Sequence, residues 1–179
     1  YYGTNLHRDE FLSWLKTEKP QVDAVVHLGA CTDTSEQDEA YLTKMNLEYS
    51  QSRWTFCTEN KVPLVYASSA ATYGAGEQGY DDDERQMSKL HPLNPYGHSK
   101  LAFDLWALIE ESQGHHPPAW SGFKFFNVYG FGERHKEKMS SVVLQAFDQI
   151  QNTGKVRLFK SHKEGIPDGQ QKRDFIHVE

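Results

Sequence analysis

The sequence predicts an α/β protein built on a doubly wound parallel sheet. Two observations carry that prediction. Short apolar runs alternate along the chain with stretches of helical spacing, which is the pattern of βαβ units. Each of the three middle apolar runs also feeds directly into a distinctive polar loop, over residues 29–34, 68–74 and 127–136. Ligands of such open sheets bind beyond the carboxyl ends of the strands, so these loops are expected to converge on one site.

The elements follow in order. Asp9 to Lys16 has helical spacing, with Phe11, Leu12 and Leu15 on one side. Ala24 to Leu28 reads as a short buried strand that breaks at Gly29. Tyr41 to Glu59 carries Leu42, Met45, Tyr49, Trp54 and Phe56 at helical spacings and is expected as one helix. Pro63 to Ala67 is the next strand, ending in Ser68-Ser69. A glycine-rich loop with the acidic run Asp81 to Glu84 extends from Tyr73 to Asn94. The turn Pro92-Leu93-Asn94-Pro95 then starts a long helix, Tyr96 to Ser112, with Leu101, Leu105, Leu108 and Ile109 inward. Phe123 to Phe126 is a strand, followed by a glycine-broken loop to Lys138 and a helix from Ser140 to Asn152. Val156 to Phe159 is expected as a short strand, and Asp174 to Glu179 as the start of another element.

Composition narrows the function. The 179 residues amount to one domain, with a net charge of −6 and 37% hydrophobic residues. An acidic chain lacks the basic surface that phosphate neutralisation demands, so nucleic acid is not an expected partner. No apolar run approaches the roughly 20 residues that cross a bilayer, so neither is a membrane. The first residues show no signal-peptide pattern, and Cys31 and Cys57 show neither disulfide-framework nor metal spacing. A reducing, cytoplasmic setting is therefore expected. The acids at Asp81 to Glu84 read as a solvated loop, with no metal site expected. No G-x-x-G-x-x-G phosphate loop is present, so the chain reads as an internal segment lacking its first βαβ unit and most of a C-terminal lobe. Residues 1–130 are assigned to a dinucleotide-binding domain and 131–179 to the start of a substrate-binding region.

The chemistry centres on Tyr96-Gly97-His98-Ser99-Lys100. On a helix that spacing puts a phenol and an ammonium on one face. A free tyrosine titrates near pH 10 and is a poor base at neutrality, but a neighbouring cation stabilises its phenolate. Such a tyrosine can take the proton from a sugar hydroxyl while hydride leaves the same carbon. Ser69, at the end of the preceding strand, offers a hydroxyl that can share that proton.

Three segments together resemble the extended short-chain dehydrogenase/reductases of the NAD-dependent epimerase/dehydratase family. They are Ser68 to Gly74, Pro92 to Lys100, and Asn127-Val128-Tyr129-Gly130. The resemblance implies a Rossmann-like sheet and a catalytic triad of Ser69, Tyr96 and Lys100, with Lys100 also holding the nicotinamide ribose. It implies cofactor contacts along Leu28, Gly29, Ala30, Cys31 and Thr32, and at Asn46 and Val128. A narrower resemblance, to the ADP-glyceromanno-heptose 6-epimerase branch, rests on Leu28 to Thr32, Tyr66 to Gly74 and Phe126 to Gly130. It continues through His135-Lys136, Met139 to Val142 and Lys172 to Phe175. This branch implies NADP as cofactor, with NAD the alternative, and ADP-heptose as substrate in a homo-oligomer. Carbon 6 would be oxidised and reduced again from the opposite face, with Lys136 as a second base. Substrate contacts would come from Ser69, Asn127, Lys138, Gln145, Phe159, Lys160, Ser161, His162 and Arg173.

Two other functions compete with this one. A 4-epimerase or 4,6-dehydratase of the same superfamily is one, although a dehydratase would offer an acidic pair where Ala70-Ala71 follows Ser69. A non-catalytic dinucleotide sensor is the other, although such proteins commonly lose the Tyr or Lys that this chain keeps.

Overall fold

The computed structural model describes residues 3, 5–18, 20–161, 164–172 and 174–179. Helix α1 (Phe11–Glu18) precedes strand β1 (Val25–His27). A helical rod follows as α2 (Glu39–Leu42), a π-helical stretch (Thr43–Glu48) and α3 (Tyr49–Asn60). Strand β2 (Leu64–Ser69) leads through a 3₁₀ turn (Ala70–Tyr73) and a second (Glu84–Lys89) to α4 (Pro95–Ser112). Strands β3 (Trp120–Phe125) and β4 (Asn127–Gly130), a 3₁₀ segment (Glu133–Met139), α5 (Val142–Thr153) and β5 (Phe175–Val178) complete the order.

Strands β1, β2 and β3 form one parallel sheet in that order, and β4 pairs in parallel with β5. The fold is thus the Rossmann-like parallel α/β class that the alternation predicts. The inward positions of β1 and β2, among them Val25, Leu64 and Tyr66, pack against Trp54 and Cys57 of α3 and Phe103 and Ala107 of α4. Trp54 is fully buried, and its indole N–H donates to the His115 carbonyl at 2.9 Å. The opposite face presents Val26 and Phe123 to solvent.

Four expectations are revised. The helix over 41–59 begins at Glu39, and its middle turn is π-helical. The span from Tyr73 to Asn94, expected as loop throughout, contains the 3₁₀ turn Glu84–Lys89. Residues 127–130, expected within a loop, form β4, because β5 arrives from far along the chain to pair with them. Val156 to Phe159 forms no strand. Those residues are β-prone but meet no neighbouring strand among the described residues, and Val156, Leu158 and Phe159 stay exposed.

Candidate active site

The long helix starts where its capping chemistry dictates. The Asn94 side chain accepts a hydrogen bond from the Gly97 N–H at 2.7 Å, and Pro95 occupies the first turn, where its missing donor costs nothing. This cap fixes the azimuth of Tyr96 and, one turn on, Lys100. Gly97 lets the helix start approach the turn after β2. A Cβ there would sit 2.8 Å from the Ala71 carbonyl oxygen and 2.9 Å from Pro92. Ser69 faces this junction from the last residue of β2, its hydroxyl accepting from the Ala71 N–H at 3.1 Å.

Ser69 and Tyr96 meet through their hydroxyls, and both Tyr96 and Lys100 are only 7% exposed. Burial pushes the Tyr96 phenol above its ordinary pKa, while the Ser69 hydroxyl works in the opposite direction. The sequence predicts a lowered value; here it is raised, because burial has taken the phenol out of water. Burial likewise lowers Lys100 to about 8, against the pull of Asp104 and Cys31. Its ammonium donates to the Ala67 carbonyl at 2.8 Å. Among the described residues that is its one hydrogen bond, which leaves donors for incoming hydroxyls.

Asn46 lies at the π-helical stretch and is completely buried. Its carbonyl accepts from the Cys31 N–H at 2.8 Å, and its amide donates to the Ser99 hydroxyl at 2.8 Å. Ser99 in turn donates to the Tyr96 carbonyl at 2.7 Å. One side chain therefore ties the loop after β1 to the helix that carries Tyr96 and Lys100. A π-helical turn widens the rod locally and is a frequent mark of functional sites. Along the loop itself, Leu28, Gly29 and Thr32 are exposed and Ala30 is half-buried. Just before it, His27 is hydrogen-bonded to the Ser50 hydroxyl at 2.9 Å and lowered to about 4 by burial and then by the Lys100 and Arg53 charges.

A cavity of about 470 Å³ opens beside Ser69, lined also by Ala71, Gly74, Phe126, Asn127 and Lys172. The Asn127 amide donates to the Asp174 carbonyl at 2.9 Å, so it also braces the β4–β5 seam. Val128 is half-buried in β4. Other positions stand apart. Lys136 is exposed and lines a separate cavity of about 160 Å³ with Val128, Gly132 and Glu133. Lys138 is exposed, and its carbonyl, with that of Ser140, accepts from the Gln145 amide. Phe159 and Lys160 are exposed, and the Ser161 N–H donates to Asp168 at 2.6 Å. His162 and Arg173 lie outside the described residues.

Sequence reasoning missed three supports of this site. Ser99 bridges Asn46 to Tyr96, Ser50 holds His27, and a buried group around Asp104 lies one helical turn below Lys100. The i, i+4 spacing of Lys100 and Asp104 is the signal that could have found the last.

Comparison with known proteins follows the same lines. Residues 3–179 match the NAD dependent epimerase/dehydratase family. The chain is 46% identical over 177 residues to the ADP-L-glycero-D-manno-heptose-6-epimerase of Fusobacterium nucleatum, covering 97% of this chain and 52% of that protein. It is 46% identical over 179 residues to the protein of the same name from Nitratidesulfovibrio vulgaris, covering 99% and 54%. The chain thus spans about half the length of the curated relatives it matches. The crystal structure of the Helicobacter pylori ADP-L-glycero-D-manno-heptose-6-epimerase superposes with a TM-score of 0.75 at 28% identity, over 96% of this chain and 51% of that one. The structure of MoeE5 in complex with UDP-glucuronic acid and NAD superposes with a TM-score of 0.63 at 28% identity, over 87% and 48%. With the strand-end serine, the buried Tyr–Lys helix face and a match across nearly all of its length, this chain belongs to the NAD-dependent epimerase/dehydratase family.

Proposed function

We propose that the complete protein epimerises carbon 6 of ADP-D-glycero-D-manno-heptose to the L-glycero form. The observation that carries this reading is the carboxyl end of β2, where the Ser69 hydroxyl meets Tyr96 and the Lys100 ammonium donates to the Ala67 carbonyl two residues earlier. Relatives bearing that activity in their names match the chain at 46% identity over almost all of its length, which supports the choice of substrate. The residues fit a nicotinamide cofactor, taken in this reading as NADP with NAD the alternative. Lys100 has ammonium donors to offer ribose hydroxyls, and Leu28 and Gly29 leave the loop after β1 open to close approach. Ala30, Cys31, Thr32, Asn46 and Val128 complete the cofactor contacts in this reading.

A nicotinamide held by Lys100 and the loop after β1 would supply the hydride acceptor and donor for carbon 6. Tyr96, as its phenolate, takes the proton of the sugar hydroxyl and becomes the neutral phenol, while Ser69 hydrogen-bonds the same sugar oxygen. Lys100 stabilises the phenolate form of Tyr96 from which that transfer starts. A charge counts for more in a dry pocket than in water, and this stabilisation works against the burial that raises Tyr96. Inversion needs hydride delivered to the second face of the ketone, so a second proton donor must serve that face. Lys136, exposed within the 3₁₀ segment Glu133–Met139, takes this role. Asn127, Lys138, Gln145, Phe159 to His162 and Arg173 line the substrate side. Residues 1–130 act as the dinucleotide-binding part and 131–179 as the start of the substrate region, in a cytoplasmic homo-oligomer.

The test is conversion of ADP-D-glycero-D-manno-heptose by the complete protein, followed by NMR of the carbon 6 configuration. Tyr96→Phe is expected to lower kcat about 10³-fold, within the usual range for a lost acid–base group. Turnover of UDP- or dTDP-hexoses in place of the heptose, or full activity of Tyr96→Phe, would overturn the reading.

A further inference from the structure

We propose that Asp104 and Lys124, a buried ion pair joining α4 to β3, are positioning residues that hold Ser69 and Lys100 in register with each other. This rests on the triad reading above.

Asp104 follows Lys100 by one helical turn on the same face of α4. Its carboxylate is almost wholly buried and gathers three donors from the sheet. The Ser68 hydroxyl donates at 2.7 Å, the Tyr66 hydroxyl donates at 3.1 Å, and the Lys124 ammonium closes the group. Lys124 also donates to the Thr72 hydroxyl at 3.0 Å, and that hydroxyl donates to the Ser69 carbonyl at 2.8 Å. Ser69 is therefore held from two directions. Its preceding neighbour is tied directly to Asp104, and its own carbonyl is tied to the same carboxylate through Thr72 and Lys124. Asp104 sits on the helix that presents Lys100, so helix and strand end cannot slide past each other without breaking this group.

Packing alone does not call for charge here. Placing two ions in a dry interior costs desolvation, and apolar side chains of like size would seal α4 to the sheet as well. What apolar side chains cannot do is receive the hydroxyls of Ser68 and Tyr66 and orient that of Thr72. The groups facing Lys100 are Asp104 of α4, His27 of β1, and Cys31 of the following loop. Those facing Asp104 are Lys124 of β3, Tyr66 of β2 and Tyr73 of the 3₁₀ turn. Of these, Asp104 is the carboxylate that sustains the Lys100 charge, and burial of Lys100 opposes it.

The experiment compares the complete protein with its Asp104→Asn, Asp104→Glu and Thr72→Val variants. Heptose epimerisation gives kcat and KM. Acetic anhydride labelling of Lys100 across pH, read by mass spectrometry, gives its titration without turnover. Asp104→Asn is expected to lower kcat at least tenfold with KM within twofold, and to move the Lys100 midpoint to lower pH. Asp104→Glu restores both in large part. Thr72→Val leaves the Lys100 titration in place and still loses several-fold in kcat, because only the Ser69 arm is cut. The inference fails if Asp104→Asn keeps kcat and the Lys100 midpoint within error while only its melting temperature falls. Should Asp104→Asn not fold, Thr72→Val decides, and parental kcat in that variant overturns the inference. An unmutated protein that does not epimerise the heptose sinks the proposed function instead, and the labelling arm then decides the Asp104 coupling alone.

Discussion

His27 shows what burial does to a single side chain. It sits beneath the loop after β1, and burial, then the Lys100 and Arg53 charges, bring its folded pKa to about 4, below the ordinary value of 6.5. The folded state thus binds fewer protons than the unfolded one between those values. Stability from this residue is intact above pH 6.5 and is lost as pH falls toward 4, by about 3 kcal/mol in all. Urea unfolding at pH 7 and pH 4.5 should therefore show a smaller acid loss for His27→Gln than for the parent. Equal losses would mean that other groups carry the acid sensitivity. At this scale the sequence was readable wherever chemistry comes in local motifs: Tyr96 and Lys100 stand one helical turn apart, and Ser69 ends a strand. Asp104 and Lys124 escaped notice because a charged residue in a sequence says nothing of whether its partner lies 20 positions away.

The cap of α4 acts at the level of the element. Asn94 and Pro95 set where the helix begins, and every residue that the site needs from α4 takes its angle from that start. Asn94→Ala should cost about 1 kcal/mol in unfolding free energy. It should also depress turnover further than that loss of folded protein accounts for, as checked by thermal melts alongside kinetics. The existence of α4, β1 and β2 was legible because amphipathic spacing and turn residues agree there. The π-helical stretch was not. Its extra residue per turn is invisible to a pattern read at 3.6 residues per turn, and its reason is tertiary: Asn46 must reach both Cys31 and Ser99. Strand β4 was hidden for a related reason, since its partner lies beyond α5. Val156 to Phe159 erred the other way, with strand composition but no ladder to join.

Across the whole molecule, the parallel sheet has one face packed by α3 and α4 and another that shows Val26, at 64% exposure, and Phe123, at 51%. Parallel sheets are stable with both faces covered, and bare apolar area of this kind drives association. The 179-residue chain in isolation should bind ANS and self-associate, and Val26→Thr with Phe123→Thr should reduce both, as read by fluorescence and light scattering. An ANS-silent monomer would contradict that expectation. Fold class was the most legible feature at this scale, because it needs only the order of elements. The placement of the 131–174 excursion was the least, because it depends on the β4–β5 seam. That seam has a consequence for divergence. The excursion leaves at Gly130 and returns as the parallel neighbour of the same strand, Phe175 opposite Asn127 and Val178 opposite Gly130, so its two ends are held at a fixed separation whatever lies between. Doubling a tethered stretch costs only about 0.6 kcal/mol in closure entropy. Its interior can therefore lengthen, shorten or change ligand preference while the strands stay put. The anchor point has no such latitude, because any side chain at Gly130 would strike the Val178 backbone and pry the two strands apart.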